Sequence, residues 1–278
     1  MDVFFTDTQR KRLTELNAGE EYKDCSFSSR EQREKEFKKF EAELLKKAKV
    51  RLERLKNETR QPELVRLRTD LEKALTGIGF IQVATPVILS KKLLEKMTIT
   101  SEHPLFKQVF WLSDNKCLRP MLAPNLYYIS KDLLRLWEKP VRIFEIGSCF
   151  RKESQGSNHL NEFTMLNLVE WGLPEQNKQE RIEELAGKVM KGAGIGGYHF
   201  ERTDCVVYGD TTDVMYGEVE LGSSSMGPHF LDEKWGITTT WVGIGFGLER
   251  LLMVREGTCN IHSMGRSISY LNGVRLNI

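Results

Sequence analysis

The amino-acid sequence predicts an α+β fold, in which a mainly antiparallel sheet is flanked by helices and preceded by an N-terminal helical extension. From residue 80 onward, short strand-like runs stand far apart with few β-α-β alternations, which is typical of antiparallel sheets. Residues 31–60, in contrast, contain no proline or glycine and repeat apolar side chains at helical spacing. We therefore expect a helical extension over residues 1–60 and one larger domain over residues 61–278.

The segment 31–60 predicts a long amphipathic helix with a basic surface. Its apolar stripe comprises Phe37, Phe40, Leu44, Ala48, Leu52 and Leu55. Eleven Lys and Arg against seven Glu give the segment a net charge of +4, whereas the whole chain of 278 residues carries only +2. The charge alone fits either a solvated helix packed on a domain or a surface for RNA phosphates.

Shorter helices and the overall composition complete the outline of the chain. Pro62 opens a second helical segment that ends at Gly77 and Gly79, "QERIEELAGKVMKGAGI" is helical up to its glycines, and a last helix follows Gly247. The five cysteines form no C-x-x-C pair, the five histidines do not cluster, and no run of about 18 apolar residues occurs. The pattern indicates free thiols in a reducing cytoplasm and argues against a Cys/His metal site and a membrane-spanning helix.

The run "WVGIGFGLERLL", residues 241–252, looks at first like a nucleotide-binding glycine loop. Its third glycine comes one residue too early for G-x-G-x-x-G, and no G-K-[ST] follows, so a nicotinamide-binding oxidoreductase and a Walker loop are both disfavoured. Interpreted as a strand, the run places Trp241, Gly243 and Gly245 on one face. These glycines serve either the close packing of a helix or a flat floor beneath a ligand ring, and the run alone favours neither.

A long hairpin is predicted over residues 142–172, where two strand-like runs flank a polar loop. Arg151 and Glu153 leave the first strand on the same face. On the returning strand, Asn167 is a lone amide on an otherwise apolar face, whose other members are Phe163, Met165 and Val169. A buried amide needs a hydrogen-bond partner, and here that partner is either the backbone or a ligand carbonyl.

Together, the F-R-x-E hairpin and the G-x-G-x-G-L-E-R-L strand and helix resemble the second and third signature motifs of class II aminoacyl-tRNA synthetases, and "GFIQVATPVIL" resembles the first. The runs "HPLFKQVFWL", "LRPMLAPNLYYI" and "VVYGDTTDVM" extend this resemblance to the pyrrolysyl-tRNA synthetases over almost the entire chain. The likeness is greatest to the bacterial form, whose catalytic part is a separate polypeptide. It implies that residues 61–278 form the catalytic domain and that residues 1–60 contact tRNA, which favours RNA contact for the basic helix.

The resemblance implies that the protein joins pyrrolysine to ATP and then transfers it to the 3′-terminal adenosine of tRNA. No general base is required, because the attacking carboxylate is already ionised near neutral pH. The implied catalytic residues are Arg151, which holds the α-phosphate, and Arg250, which holds the γ-phosphate. The remaining implied contacts to ATP are Glu153 at the adenine amino group, Phe163 stacked on the ring, and His159 and Leu160 in the covering loop.

The run "EVELGSSS" is the implied Mg²⁺ site. Glu220 and Ser223 offer hard oxygen ligands of the kind that Mg²⁺ prefers, and Leu221 belongs to the same ATP-binding segment. A spacing of three residues does not place both ligands on one face of a straight strand, so we expect a β-bulge marked by Gly222. A solvated Glu and Ser at a strand end is the alternative, which the resemblance disfavours.

The implied amino-acid pocket is mostly apolar with one amide anchor. One helical face of "MLAPNLYYIS" collects residues at i, i+3, i+4 and i+7, namely Ala123, Leu126, Tyr127 and Ser130. Periodicity alone makes that face part of the core, whereas the resemblance makes it a pocket wall. Asn167 then binds the side-chain amide carbonyl of pyrrolysine, and Tyr208 closes over the pyrroline ring. The other implied wall residues are Met121, Val169, Ser225, Trp241 and Gly243.

Ser130 departs from the resembled family, where a bulkier apolar residue is expected, and Ser223, Ser224 and Ser225 make another wall small and polar. We therefore expect an enlarged pocket, and the native substrate is left more open than the reaction. The alternatives are a class II synthetase for another amino acid, such as phenylalanine, and a non-catalytic synthetase-like tRNA-binding protein. The second is disfavoured because Arg151, Glu153, Glu220 and Arg250 are all present.

The resemblance also implies partners. They are a pyrrolysine tRNA of the amber-suppressor type, a second copy of the chain bound through the first motif, and, as a further candidate, a separate N-terminal tRNA-binding polypeptide. The last expectation follows because neither an archaeal-type N-terminal tRNA domain nor a C-terminal anticodon module is visible in the sequence. No membrane partner is expected.

Overall fold

The structure is a computed structural model that describes residues 2–23, 25–58, 60–152 and 160–278. Its helices are α1 (Asp7–Glu15), α2 (Glu20–Lys23), α3 (Arg30–Glu58), α4 (Glu63–Thr76), α5 (Lys91–Lys96), α6 (Pro104–Gln108), α7 (Ala123–Leu136), α8 (Lys178–Ala193), α9 (Asp232–Trp235) and α10 (Leu248–Arg255). Its strands are β1 (Val3–Phe4), β2 (Ser26–Phe27), β3 (Ile81–Gln82), β4 (Ile88–Ser90), β5 (Trp111–Ser113), β6 (Lys116–Leu118), β7 (Val141–Phe150), β8 (Glu162–Trp171), β9 (His199–Cys205), β10 (Gly209–Tyr216), β11 (Val219–Gly227), β12 (Trp241–Gly247), β13 (Tyr270–Leu271) and β14 (Val274–Arg275).

Local sequence accounts for where several helices begin and end. α1 begins with a capping box, in which Thr6 Oγ1 accepts from the backbone N–H of Gln9 and the Gln9 side chain accepts from the N–H of Thr6. α3 runs for 29 residues without a proline or glycine, which confirms the predicted long helix. α8 ends at Gly194, whose φ of 72° suits glycine, and this confirms the helix that stops in a glycine cluster.

The chain forms two compact units, and the first is built on Met1–Arg66 and the C-terminal segment Leu252–Ile278. Its core is a cluster of buried side chains, namely Phe5, Leu13, Leu16, Ala18, Phe27 and Leu44. Phe37 and Phe40 of α3 pack on Phe5 with ring centroids 6.0 and 6.2 Å away. The first half of the predicted apolar stripe, namely Phe37, Phe40 and Leu44, therefore faces a core, whereas Ala48, Leu52 and Leu55 are half-buried and do not belong to this cluster. A domain boundary between residues 60 and 61 stays a prediction.

The second unit is built on Leu67–Ser154 and Asn161–Leu251 and contains a seven-stranded sheet in the order β3-β7-β8-β12-β11-β10-β9. Neighbouring strands are antiparallel except β3 and β7, which are parallel. The predicted mainly antiparallel sheet is therefore confirmed. β7 and β8 form the predicted long hairpin, paired from Val141 and Trp171 to Phe150 and Glu162.

Helices bury the apolar side chains of this sheet. α8 packs against β12 and buries Ile182, Leu185, Ala186 and Val189. α7 carries the face predicted from "MLAPNLYYIS" and contributes Leu126 and Tyr127 to the core cluster of the unit. Within the described ranges, no helix has both the length and the apolar character needed to cross a membrane.

Candidate functional site

The register of three neighbouring strands brings the predicted site residues into two cross-strand rows. In the first row, Ser223 on β11 lies opposite Gly245 on β12, which lies opposite Asn167 on β8. The second row contains, in the same strand order, Ser225, Gly243 and Val169. Directly paired residues of antiparallel strands project to the same face, so three distant segments of the chain share one surface.

This surface remains partly open to solvent. The buried face of β8 is formed by Thr164, Leu166 and Leu168, while its other face is only half-buried at Phe163, Met165 and Asn167. On β12, Gly243 and Gly245 are partly exposed between buried neighbours. The predicted alternation of faces is confirmed, and the glycine floor lies on the same open face as Asn167.

Two polar atoms on this face have unmet hydrogen-bonding capacity. Asn167 Oδ1 and Ser225 Oγ are buried without a hydrogen-bond partner in the part of the chain that the structure describes. A buried polar atom that stays unpaired costs ~1–3 kcal/mol, so such atoms are uncommon in folded proteins. The sequence left open whether a backbone group or a ligand pairs with Asn167. The described residues donate no hydrogen bond to Asn167 Oδ1, which favours a ligand N–H as the partner of this atom.

The predicted helical wall is buried as one face of α7. Ala123, Leu126, Tyr127 and Ser130 are 8%, 4%, 6% and 0% exposed, and Met121, just before the helix, is 8% exposed. Ser130 Oγ donates to the carbonyl oxygens of Leu126 and Tyr127 at 2.7 and 3.0 Å. The hydroxyl of Ser130 is therefore satisfied by its own helix. Because this hydroxyl is already bonded within α7, Ser130 adds no free polar group to the predicted wall. Its side chain is small, as the sequence predicted.

Three aromatic side chains predicted for the pocket pack on one another. The ring centroid of Trp241 lies 5.8 Å from that of Tyr127 and 6.4 Å from that of Tyr208, in edge-on arrangements. Burial raises the pKa of both tyrosines above the ordinary value, and neighbouring acidic groups add to this. Both phenols therefore stay protonated near neutral pH and can act as hydrogen-bond donors.

Arg151 and Phe163, two of the residues predicted to bind ATP, lie side by side. The guanidinium of Arg151 lies over the ring of Phe163, 5.3 Å from its centroid, and Arg151 Nε donates to the carbonyl oxygen of Pro120 at 2.9 Å. These two predicted ATP residues therefore come together at the end of the hairpin. Leu160 is half-buried. Glu153 and His159 lie outside the described residues.

The predicted bulge is present in β11. The pair Val214–Gly222 is followed by Met215–Glu220, so Leu221 is the extra residue, directly beside the Gly222 expected to mark it. Glu220 is exposed and Ser223 is half-buried, whereas Leu221 is buried, with 1% of its surface exposed. Arg250 Nη1 lies 3.5 Å from the Glu220 carboxylate and donates to the Glu220 carbonyl oxygen at 3.1 Å. Two predicted phosphate-side residues thus meet.

Three buried carboxylates near the site were missed by the sequence reasoning. Glu249, the neighbour of Arg250, accepts from the backbone N–H of Thr164 with both oxygens at 2.9 Å and so ties α10 to β8. Glu145 pairs with Arg119 at 2.7 Å, and Asp232 lies behind the aromatic walls. Asp232 stands in the charged stretch "LDEKWG", which looks solvated, so the local sequence there carries only a weak signal. Glu145 inside the apolar run "RIFEIGSCF" and Glu249 inside "LERLL" were the available clues.

Family comparison agrees with this geometry. Residues 47–273 match the family described as "tRNA synthetases class II core domain (F)". The chain belongs to the class II aminoacyl-tRNA synthetases, as the three sequence motifs predicted. A core of this class implies the use of ATP.

Solved structures narrow the resemblance. The chain is similar to the pyrrolysyl-tRNA synthetase from Desulfitobacterium hafniense in a crystal structure, with 55% identity, a TM-score of 0.92 and 100% coverage of both chains. A second structure of a pyrrolysyl tRNA synthetase from that organism is 54% identical with a TM-score of 0.91, covering 99% of this chain and 96% of that chain. The resemblance to pyrrolysyl-tRNA synthetases stated from the sequence is confirmed.

A more distant similarity involves the threonine–tRNA ligase from Wolbachia sp. subsp. Drosophila simulans (strain wRi), which is 27% identical over 167 residues. That match covers 56% of this chain and 25% of the relative, so the chain spans a quarter of the length of this curated relative.

Proposed function

We propose that this chain activates pyrrolysine with ATP and transfers it to the 3′-terminal adenosine of its tRNA. In the first step a carboxylate oxygen of the amino acid bonds to the α-phosphorus, the bond from that phosphorus to the bridging oxygen breaks, and pyrophosphate leaves. In the second step a ribose hydroxyl of the tRNA attacks the adenylate carbonyl, and AMP leaves. Similarity to two pyrrolysyl-tRNA synthetase structures over the whole chain supports the proposal.

The single observation that favours this substrate class is Asn167 Oδ1, an acceptor without a partner among the described residues, which lies beside an apolar, aromatic-walled surface. Pyrrolysine carries an uncharged amide in its side chain, which offers both an N–H donor and a carbonyl acceptor to such a group. A phenylalanine ring offers neither, so binding phenylalanine would leave the amide unpaired at a cost of ~1–3 kcal/mol. A site built around an amide therefore favours the amide-bearing substrate.

On the ATP side, Arg151 and Arg250 bind phosphate oxygens and neutralise the charge that develops as pyrophosphate leaves. Phe163 offers a ring face for adenine, and Glu153 and His159 keep their predicted roles. Glu220 and Ser223 supply the carboxylate and hydroxyl oxygens that suit Mg²⁺, and the bulge at Leu221 brings both to the same side of β11. When bound, Mg²⁺ would neutralise and orient the outgoing phosphates.

The proposed macromolecular partners are tRNA and a second copy of the chain. The basic surface of α3, with its net +4 over residues 31–60, suits RNA phosphates, and such binding weakens as salt rises. Around the first motif, Ile81 and Ile88 are 45% and 52% exposed, which suits an apolar dimer contact. Charging of the pyrrolysine tRNA by this chain alone, compared with charging after addition of a separate tRNA-binding polypeptide, tests whether a further partner is required.

Amino-acid-dependent pyrophosphate exchange tests the activation step. We expect the highest kcat/KM with pyrrolysine or a lysine carbamate, and much lower values with phenylalanine and threonine. Asn167→Ala should lower kcat/KM for pyrrolysine at least about tenfold, because a hydrogen bond to the substrate is lost. Its KM for ATP should stay within about twofold of the parent value. Asn115→Ala, in an exposed turn, is the matched control.

Each alternative has its own outcome in this assay. A higher kcat/KM with phenylalanine than with pyrrolysine would identify a class II synthetase for another amino acid. Binding of tRNA without any exchange would identify a non-catalytic tRNA-binding protein. A collapse of ATP binding in Asn167→Ala would show that this residue does not belong to the amino-acid pocket.

A further inference from the structure

Asp232, the first residue of α9, is a buried carboxylate that accepts three hydrogen bonds. Its side chain is 3% exposed. Oδ1 accepts from the Tyr127 hydroxyl at 3.2 Å, and Oδ2 accepts from the indole Nε1–H of Trp241 at 2.8 Å and from the backbone N–H of His229 at 2.7 Å. The hydroxyl of Tyr127 and the N–H groups of Trp241 and His229 therefore all point toward this side chain.

Two of these donors are predicted walls of the amino-acid pocket, and they come from different elements. Tyr127 is on α7 and Trp241 is on β12. Their rings stand nearly perpendicular, at 86° with centroids 5.8 Å apart. The indole also lies across Gly227, where a Cβ would overlap its nitrogen. The carboxylate thus accepts a hydrogen bond from the polar group of each ring, and these two hydrogen bonds fix how the rings are rotated relative to one another.

The same turn also holds the third aromatic wall. His229 Nδ1 accepts from the N–H of Leu231 at 3.3 Å, so the ring carries its proton on Nε2, and Nε2 donates to the carbonyl oxygen of Tyr208 at 2.8 Å. The ring centroid of Tyr208 lies 5.5 Å from that of His229. A single segment, residues 229–232, therefore anchors Tyr127, Trp241 and Tyr208.

We propose that Asp232 is a positioning residue for amino-acid selection. It acts through Tyr127 and Trp241 by setting the shape of the pocket, and His229 extends the same control to Tyr208. The proposal rests on the proposed function, because it names the site that selects the amino acid. Substitution of Asp232 should affect binding of the amino acid and not binding of ATP, since none of the three hydrogen bonds of Asp232 involves Arg151 or Arg250.

The chemistry of Asp232 predicts a graded response to substitution. In Asp232→Asn, the amide oxygen can take the place of Oδ2 and accept from Trp241 and His229, while the amide N–H₂ faces a Tyr127 hydroxyl that reverses to accept. In Asp232→Ala, three buried donors lose their acceptor at once. The alanine variant should therefore bind pyrrolysine more weakly than the asparagine variant does.

Pyrophosphate exchange measures this effect. Asp232→Asn should raise the KM for pyrrolysine or a lysine carbamate about tenfold, the effect of one weakened hydrogen bond, and Asp232→Ala should raise it further. The KM for ATP should stay within about twofold in both variants. Asp132→Asn, an exposed acidic position on α7, is the matched control and should match the parent enzyme.

A readout without substrate keeps this test independent of the proposed function. The indole N–H signal of Trp241 in ¹⁵N NMR, assigned with Trp241→Phe, should shift in Asp232→Asn and exchange faster with solvent in Asp232→Ala. An unmoved Trp241 signal, or a fall in kcat with both KM values unchanged, would overturn the proposal in favour of a merely structural role. If the parent enzyme shows no exchange with pyrrolysine analogues, the proposed function fails, and the NMR result still decides whether Asp232 positions the Trp241 ring.

Discussion

Gly245 is the position where the glycine floor of β12 meets the amide of Asn167, and Gly245→Ala probes both. A Cβ built at Gly245 would lie 3.3 Å from Asn167 Oδ1, 3.4 Å from Asn167 Nδ2 and 3.4 Å from Met165 Cε. These contacts are tight, but each involves the end of a flexible side chain and none involves the backbone. We therefore expect β12 to accept the methyl group while the amide of Asn167 moves by a few tenths of an ångström.

The size of the effect follows from what that movement disturbs. The displaced amide weakens a hydrogen bond to the substrate worth ~1–1.5 kcal/mol, which corresponds to about a tenfold rise in the KM for pyrrolysine. Fold stability should change by less than ~1 kcal/mol, because alanine also restricts the unfolded chain. Arg151 and Arg250 are not among the contacts of the new methyl group, so the KM for ATP should stay the same.

Pyrophosphate exchange with the amino acid and ATP varied separately, together with thermal unfolding, measures these quantities. Gly196→Ala is the matched control, because a Cβ there meets nothing within 4 Å. Gly222→Ala gives the contrast, since its Cβ would lie 2.6 Å from the carbonyl oxygen of Gly245 and 2.5 Å from the Phe246 ring, and it should destabilise the fold. An unchanged KM for pyrrolysine in Gly245→Ala, or an equal rise in the KM for ATP, would refute the role of the floor.

Two further predictions concern buried groups. Glu145→Gln leaves the charge of Arg119 without its carboxylate partner at a site 3% exposed, although Arg119 keeps its hydrogen bonds to Ser148 and Thr85, so urea unfolding should show a loss of about 3 kcal/mol in the free energy of unfolding. The exposed control Glu184→Gln should show a loss below ~0.5 kcal/mol, and equal losses would contradict the buried ion pair. Burial raises the pKa of Cys117 to about 11 and that of Cys149 to about 12, so both thiols stay protonated at about pH 8. Mass spectrometry after iodoacetamide treatment of the native protein should then show labelling first at the partly exposed cysteines, Cys25, Cys205 and Cys259. Equally fast labelling of Cys149 would show that its thiol is not buried and that its pKa is not raised.

Local periodicity made much of this protein predictable from sequence. The alternation along β8 placed Asn167 on the other face of the strand from the buried Thr164, Leu166 and Leu168. The same rule placed Gly243 and Gly245 on one face of β12. Helical spacing likewise identified the buried face of α7. These predictions held because side-chain direction in a strand or helix depends only on the residue's own backbone geometry.

Long-range pairing was not predictable in this way. The Tyr127–Asp232 hydrogen bond joins residues 105 positions apart, and the Thr164–Glu249 bond joins residues 85 positions apart. No local pattern distinguishes Asp232 in "LDEKWG" from a solvated acid, because its burial depends on the two elements that close over it. The exact residue of the bulge, Leu221 rather than Gly222, likewise depended on the register with β10.

By itself, then, the sequence determined the class of fold, the three motifs and the faces on which the candidate ATP and amino-acid residues stand. Only the tertiary structure decided how those faces meet, with Ser223, Gly245 and Asn167 in one row and Asp232 behind the aromatic walls. The physical reason is that periodicity encodes direction within an element, whereas hydrogen-bond partners and cross-strand register are chosen by packing between elements.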